Sequence, residues 1–507
     1  MNQILNLIKK IIPKSLFRKI QPGYHLVTNW LAGVWYGFPS EKLTVVGITG
    51  TTGKTTTVFM LAELLKNAGL KVGYTSTAMF GDGEKEWLND KKMTMLGRFF
   101  TQRMLRQMVK NKCQVAIVET TSEGIVQNRH RFINYDIVEF TGLYPEHIDS
   151  HGSFENYKRA KLRLVEHLEN SKIKKIQETN TKMQINSNNQ ISNNEEEKYN
   201  LKLESSDFNQ NSKFKIQNCP KTIIVNLDDE YAGEFLDFEV ERKIGFAKSK
   251  VDPTSLKLRG TRSRKSKVYP VKTLTGSKVE KIEYEFLEMN RVGTKFMFED
   301  KEVQLKILGE FNALNATAAG CVGKALRLNN ENIKKGLESV KSLPGRLERI
   351  DEGQNFTVMV DYAFEPVAVG KLYETVAILE PNKIIHVLGS TGGGRDLDRR
   401  EKLGRLAGKQ ADYVIVTNED PYDDDPMEII KMVAKGVEKS GKVKDENLFL
   451  IEDRKKAIKK AISLARGNDL VLITGKGSEQ AIAGPNGKLI PWDDRKVARE
   501  MIKNLGS

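Results

Sequence analysis

An α/β fold in two bodies, each with its own parallel sheet, is what the 507-residue sequence predicts. Three observations carry that expectation. An apolar, β-branched run at residues 43–48 turns through Gly50-Thr51-Thr52-Gly53-Lys54-Thr55-Thr56 into a helical pattern bearing Val58, Met60, Leu61, Leu64 and Leu65. A second series of apolar strands, at 356–363, 383–390, 412–417 and 469–474, alternates with helical patterns, which implies a parallel sheet with right-handed crossovers. Between them, Leu343-Pro344-Gly345-Arg346 marks a boundary. The expected organisation is a basic, aromatic extension (1–40), a central P-loop ATPase body (41–342) and a Rossmann-like α/β body (343–507).

The strand–loop–helix unit at 43–65 is a phosphate-binding pattern. Glycines let backbone N–H groups point at an anion, and the helix N-terminus adds partial positive charge. Lys54 is placed to meet the β/γ-phosphates and the Thr55 hydroxyl to hold Mg²⁺. The spacing is short: five positions before Gly53 stands Ile48, and the first glycine is Gly50. A glycine/threonine turn without a ligand is the alternative, and the flanking strand and helix argue against it.

Composition narrows the function classes. Hydrophobic content is 39%, as in a globular protein with a large core, and the net charge is +15. No basic–aromatic repeat of a nucleic-acid module accompanies that charge, so an anionic small-molecule substrate is the expected partner and nucleic acid is not. Cys113, Cys219 and Cys321 stand singly, forming neither a disulfide framework nor a metal cluster, as expected in a reducing cytoplasm.

In chain order, residues 1–40 contain no acidic residue. Ile4, Ile8, Ile11 and Ile12 fall at helical spacing among Lys9, Lys10, Lys14, Arg18 and Lys19. After Pro22-Gly23 comes an apolar stretch with Trp30, Trp35 and Tyr36, too short to span a bilayer. It reads either as a peripheral anchor on anionic lipid, through residues 1–38, or as a helix packed on the ATPase body. Met93-Thr94-Met95-Leu96-Gly97 precedes an amphipathic helix through Met108. The strand at 115–118 ends in Glu119-Thr120-Thr121-Ser122, which sets a carboxylate where Mg²⁺ beside the loop would need it. The strand at 137–140 leads into Tyr144-Pro145-Glu146-His147-Ile148-Asp149-Ser150-His151-Gly152, then a helix bearing Tyr157 and Lys161. This density of histidines, acids and a lysine reads as a site.

Residues 171–215 are Asn-, Lys-, Glu- and Ser-rich and are expected to be a disordered insertion. A strand at 222–226 follows, then a less regular set of strands at 250–300. A small-residue helix opens at Gly309-Glu310-Phe311-Asn312 and carries Asn315. The second body ends its strands in Asp361-Tyr362, in Gly389–394 with Arg395-Asp396, in Asn418-Glu419-Asp420-Pro421 and in Gly475-Lys476-Gly477-Ser478-Glu479. Ligands of open α/β sheets bind at such carboxyl ends.

These motifs, in this order, resemble the Mur ligase family over about residues 43–507 apart from the insertion, and within it the tripeptide synthetases that add the third stem-peptide residue. The resemblance implies an ATP-dependent amide ligase that adds an amino acid to a UDP-N-acetylmuramoyl-L-alanyl-D-glutamate-type precursor through an acyl phosphate. By the family pattern, Gly50, Thr51, Thr52, Gly53, Lys54, Thr55 and Thr56 hold the ATP phosphates, with nucleotide contacts from Asn315, Arg346, Asp361, Arg395 and Asp396. Two Mg²⁺ sites are implied: Thr55 and Glu119 match ligands of the first, and His147 matches a ligand of the second. Lys161 stands where the family carries a carbamylated lysine, so Lys54, His147 and Lys161 are the implied catalytic residues. Thr94, Thr121, Gln127 and Arg129 match the grip on the muramoyl dipeptide. Asp420, Tyr422, Gly475 and Glu479 match the amino-acid side. The expected partners are those two small molecules, and the expected state is a cytoplasmic monomer.

The sequence also departs from the family. Only about forty residues precede the loop, where tripeptide synthetases have a uridine-binding domain. The diaminopimelate pattern Asp-Asn-Pro-Arg reads Glu419-Asp420-Pro421-Tyr422, which removes a bidentate guanidinium. Phe364 and Ser478 replace two histidines, and Met95 a threonine. The alternatives are the same chemistry on a lipid-linked muramoyl or folylpolyglutamate-like carboxylate, and, from another class, a P-loop ATPase switch that binds a partner or nucleic acid.

Overall fold

The computed structural model describes residues 14–144, 151–174, 219–249, 278–394 and 397–505, with side chains from Gly23 onward in the first helix. His147, Arg395, Asp396, most of the Asn-rich insertion and residues 250–277 lie outside them.

The chain opens with helix α1 (Lys14–Tyr36), which runs through Pro22-Gly23, and a 3₁₀ turn. The large sheet then begins with β1 (Thr44–Thr49), α2 (Lys54–Asn67), β2 (Val72–Thr75), β3 (Met79–Gly81), β4 (Glu86–Leu88), α3 (Arg98–Lys110), β5 (Val115–Glu119), α4 (Ser122–Val126), β6 (Ile137–Phe140) and α5 (Phe154–Glu169). It continues through β7 (Thr222–Asn226), α6 (Ala232–Leu236), β8 (Arg242–Lys248), β9 (Val279–Asn290), β10 (Gly293–Phe298), β11 (Lys301–Leu305), α7 (Glu310–Ala325) and α8 (Asn330–Glu338).

The small sheet follows: β12 (Glu348–Ile350), β13 (Thr357–Val360), α9 (Pro366–Val376), β14 (Ile384–Leu388), α10 (Leu397–Gln410), β15 (Tyr413–Thr417), α11 (Pro426–Glu438), β16 (Leu448–Ile451), α12 (Arg454–Leu464) and β17 (Leu470–Ile473). A hairpin, β18 (Ala481–Ala483) and β19 (Leu489–Pro491), and α13 (Asp494–Lys503) complete the described chain.

The large sheet has 11 strands in the order β11-β10-β9-β8-β7-β6-β1-β5-β2-β3-β4. Its interior, from β9 across to β2, is parallel, and antiparallel strands close both edges. The parallel part is covered on both faces, so its strands are apolar throughout, as in β1, all of whose residues are buried. Val46 and Ile48 meet α2 and α7 on one face, while Val45 joins Met104, Met108 and Leu164 on the other. Each fully buried side chain of this kind contributes about 1.5–3 kcal/mol. Small residues let α7 lie close: a Cβ on Gly320 would meet the Phe298 ring.

After β1 the chain fills one side of that strand (β2, β5), then crosses to the other (β6). The carboxyl end of β1 is therefore a topological switch point, the place where such sheets bind ligands.

The small sheet, β12-β13-β17-β14-β15-β16, is parallel except for β12. The edge strands β12 and β16 have no counterpart among the strands expected from the sequence. They are three and four residues long and only partly buried, so their apolar signal is weak.

The described residues on either side of the insertion are anchored to one carboxylate. Lys174, inside the segment expected to be disordered, is buried, and its ammonium bonds Asp136 (2.5 Å) and the Leu43 carbonyl (2.9 Å). On the far side Lys221 is buried and bonds the same Asp136 (3.3 Å). One buried carboxylate thus ties down both stems, so a long excursion between them leaves the β6–β7 pairing intact, and extra length adds little closure entropy.

Candidate active site between the two sheets

Two glycines shape the loop after β1, where a side chain would be both strained and crowded. Gly50 (φ 149°) and Gly53 (φ 82°) have positive φ, and a Cβ on either would strike Thr141 or Asn315 respectively. The loop is pinned from behind: Thr51 N–H donates to the Gly142 carbonyl (2.8 Å), and the Thr51 hydroxyl bonds Tyr157 (3.1 Å) and accepts from Tyr144 N–H (3.2 Å). Lys54, first residue of α2, folds over the loop and donates to the carbonyls of Gly50 (3.0 Å) and Thr51 (2.6 Å). Lys161, buried on α5, reaches the same Gly50 carbonyl (2.7 Å) and lies 4.7 Å from the Tyr157 ring centre. Asn315 on α7 comes up against Gly53 and donates to Asn312 (3.3 Å).

Glu119 ends β5, directly beside β1, where it pairs with Ile48. It is buried and accepts from the Thr55 hydroxyl (3.0 and 3.1 Å), the Thr77 hydroxyl (2.9 Å) and Thr77 N–H (2.8 Å). A carboxylate and a hydroxyl in contact beside a phosphate loop fit Mg²⁺, which takes hard oxygen donors, keeps waters and shares substrate phosphates. No group of three or more His, Cys, Asp or Glu among the described residues could hold a metal by itself. For the second implied ion the donor set fits less directly, because Lys161 as an ammonium cannot be a ligand and only a carbamate on it would supply oxygens. His151 bonds Ser122 (3.0 Å), with its pKa lowered by burial, Glu123 opposing and Lys161 adding.

The residues matched to the muramoyl dipeptide cluster at the end of β5. Thr94 bonds Thr77 (2.7 Å), Thr121 caps α4 by accepting from Gly124 N–H (3.2 Å), and Arg129 donates to Gln127 (2.6 Å) and the Met95 carbonyl. Burial and Arg98 lower the Arg129 pKa, Glu123 opposing.

The small sheet brings its own strand ends to this place. Arg346 stacks over Tyr362 (4.3 Å), and Asp361 accepts from Leu347 and Ala363 N–H (both 2.7 Å). Burial raises the Asp361 pKa, and Arg346 opposes it. Tyr362 donates to Glu479 (3.3 Å). Lys476, fully buried, bonds Glu479 (2.5 Å) and both Asp420 oxygens (3.0 and 3.1 Å). Burial disfavours its charge, but Glu479 and Asp420 outweigh that and raise its pKa. Lys92, from the large sheet's β4–α3 connection, crosses to the same carboxylates, 2.5 Å from Asp420 and 3.3 Å from Glu479. Burial and Lys476 lower its pKa. Glu419 is buried against Gly475 (φ 103°), and burial and Asp420 push its carboxyl up to about 7. Tyr422 sits in the left-handed region (φ 52°) and donates its N–H to Ala483 (3.0 Å).

Between these groups lies a cavity of about 60 Å³, lined by Thr77, Asn89, Lys92, Met93 and Thr94 from one sheet and by Tyr362 and Glu479 from the other. Thr77, Lys92 and Lys476 have no assigned role in the sequence reading. Lys476 lies inside a quoted motif, whereas Thr77 and Lys92 sit in irregular connections with no periodic signal.

Known proteins resemble the chain over both bodies. Residues 48–236 match the Mur ligase middle domain, and residues 345–477 match the Mur ligase, glutamate ligase domain. The chain is 33% identical over 491 residues to the UDP-N-acetylmuramyl-tripeptide synthetase of Roseiflexus sp. (strain RS-1), covering 96% of this chain and 83% of that one. It is 28% identical over 486 residues to the UDP-N-acetylmuramoyl-L-alanyl-D-glutamate--2,6-diaminopimelate ligase of Clostridium tetani (strain Massachusetts / E88), covering 94% and 80%. Among solved structures, Mycobacterium tuberculosis folylpolyglutamate synthase complexed with ADP shares the fold, with a TM-score of 0.58 at 16% identity over 94% of this chain and 95% of that one.

Proposed function

The chain belongs to the Mur ligase family, ATP-dependent acid–amino-acid ligases of peptidoglycan-precursor synthesis that use ATP and Mg²⁺, and from that premise we propose that it adds an amino acid to a UDP-N-acetylmuramoyl-L-alanyl-D-glutamate-type precursor. The observation that carries this reading is the cavity walled by both sheets, with Thr77 and Thr94 at one side and Tyr362 and Glu479 at the other. An acyl group activated beside the phosphate loop and an amine held at the second sheet would meet there.

In this reading a carboxylate oxygen of the precursor attacks the γ-phosphorus of ATP, and ADP leaves. The amine nitrogen of the amino acid then attacks the acyl carbon, phosphate departs with its oxygen, and the amine gives up its proton. The loop N–H groups of residues 50–56 and Lys54 hold the phosphates. Thr55 and Glu119 would hold one Mg²⁺, which when bound neutralises charge on the phosphate oxygens. Lys161, if carbamylated, and His147 would hold a second such ion. Thr94, Thr121, Gln127 and Arg129 orient the precursor, while Asn315, Arg346, Asp361, Arg395 and Asp396 hold the nucleotide. Asp420, Tyr422, Gly475 and Glu479 receive the amino acid. No guanidinium stands at position 422, so the favoured amino acid is one, such as lysine, without a distal carboxylate. The protein works in the cytoplasm as a monomer. Enclosure between two bodies keeps water from the acyl phosphate.

The test is trapping. With ATP, Mg²⁺ and the UDP-linked dipeptide, hydroxylamine in place of the amino acid should yield the precursor's hydroxamate, and Lys54→Ala should yield none. ATP-dependent turnover without hydroxamate would refute the acyl phosphate.

A second reading, the same chemistry on a lipid-linked precursor, is favoured by one contact: Asn29 of α1 donates to the backbone carbonyl of Gln127 (3.2 Å), so an N-terminal helix touches the loop given to the precursor.

A further inference from the structure

Helix α1 packs one face on the body, and among the described residues nothing covers its apolar face. Asn29 and Ala32 are buried against the body. That side is fixed by the Asn29–Gln127 contact, by a hydrogen bond between Arg98 and His25, and by the Arg98 guanidinium 5.0 Å from the Tyr24 ring centre. The helix is therefore already docked. Its other face carries Val27, Trp30, Leu31, Val34 and Trp35, spaced three, four, seven and eight positions from Val27, which makes one stripe. All five are exposed, Trp35 to 78%. Phe99 on the neighbouring α3 extends the patch, its ring 6.5 Å from Tyr36 and its side chain exposed. Two tryptophans on a contiguous apolar face held toward solvent mark a docking surface rather than scattered exposure.

Charge identifies the partner. Residues 1–40 carry Lys9, Lys10, Lys14, Arg18 and Lys19 and no acid. Helix α3, on which α1 packs, carries Arg98, Arg103, Arg106 and Lys110 and again no acid. The exposed stripe of α1 thus lies beside a helix whose charged residues are all basic, and the sequence before it adds only basic charge. Among the described residues no helix is long and apolar enough to cross a membrane, so the stripe would lie in an interface and not span it.

We propose that α1 is an interfacial docking helix for an anionic lipid surface: the Trp30–Trp35 stripe enters the headgroup–acyl boundary while Arg103, Arg106 and Lys110 of α3 meet lipid phosphates. The opposite face of the same helix holds the loop of Gln127 and Arg129, so the bilayer lies about one helix diameter, ~10 Å, from that loop. The docking stands whether or not the ligase's carboxylate substrate is itself lipid-linked.

The experiment uses the full chain and vesicles of phosphatidylcholine, alone or with phosphatidylglycerol at three parts in ten. Co-sedimentation should favour the anionic vesicles at least about tenfold and fall as salt rises. The exposed double variant Trp30→Gln/Trp35→Gln should melt with the wild type yet lose about tenfold or more of that partition. Arg103→Gln/Lys110→Gln should weaken it without abolishing the residual apolar binding. Absence of binding by the wild type, or equal binding by wild type and the tryptophan variant, would overturn the proposal. So would a dimer in sedimentation velocity that the tryptophan variant dissolves, since a second copy would then own this face.

Discussion

Removing Glu139 should change how the protein's stability answers pH. It lies at the middle of β6, between Ile48 of the loop-bearing β1 and Ile224 of β7, and is fully buried. Among the described residues neither of its carboxylate oxygens has a hydrogen-bond partner. Burial alone pushes its carboxyl from 4.5 up to about 8, so at neutral pH the native state keeps it protonated. The unfolded chain ionises it near 4.5. Because the native pKa is the higher one, its contribution to stability is fully present below pH 4.5 and is lost as pH rises through 8. The rise from 4.5 to about 8, at 1.36 kcal/mol per pH unit, makes that loss about 5 kcal/mol. Glu139→Met keeps an unbranched side chain of similar length and removes the titration. Thermal unfolding of both proteins from pH 5 to 9 should show the wild type falling relative to the variant across this window. The gap should widen by roughly 10 °C for a body of this size. Parallel curves for the two proteins would refute the argument, and with it the claim that this carboxyl is buried without a partner.

Three more outcomes follow from the site. Lys161→Ala should abolish turnover and recover part of it with added formate or acetate, whereas Lys54→Ala should lose it without rescue; normal activity in Lys161→Ala would remove the carbamate role. Tyr422→Arg should shift the preference between lysine and meso-diaminopimelate toward the latter by about tenfold, the worth of a charge-assisted hydrogen bond of ~1.5 kcal/mol; an unchanged ratio in a competition assay would place specificity elsewhere. Lys92→Met removes the cation that joins Asp420 and Glu479 to the other sheet, but Lys476 still faces both carboxylates, so the loss should be about 1–2 kcal/mol rather than that of an abandoned buried charge. It should appear in scattering as a more open particle and in kinetics as a roughly tenfold lower kcat/KM for the amino acid; no change in either would mean the bridge does not hold the bodies together.

The parts of the fold that were legible in the sequence are those where one local pattern decides the outcome. The β-branched run of β1, the glycines of the loop and the periodic apolar face of α2 each point the same way, so the strand, turn and helix fall where expected. Glu119 could be placed because a carboxylate closing a strand neighbouring β1 must project at the loop, and β5 does lie beside β1. The rest depends on distant partners. Thr77 gains its place only when β2 brings it to Glu119, and Lys92 only when the second sheet brings Asp420 and Glu479 to it. Lys174 looked like part of a polar, unfolded segment because its partner, Asp136, is far away in sequence. Glu139 sits in the strand expected at 137–140, and nothing local marks it as a protonated core residue. The N-terminal stretch reads in sequence as either a surface anchor or a packed helix, and the structure shows α1 packed through Asn29 and Ala32 with Trp30 and Trp35 exposed.

The most direct test of the central claim is phosphate release by the purified protein with ATP, Mg²⁺ and UDP-N-acetylmuramoyl-L-alanyl-D-glutamate, adding lysine, meso-diaminopimelate and other amino acids one at a time. The account predicts release that depends on one amino acid lacking a distal carboxylate, with a product heavier than the precursor by that residue. Release that proceeds equally without any amino acid, or that responds instead to nucleic acid or a protein, would contradict it.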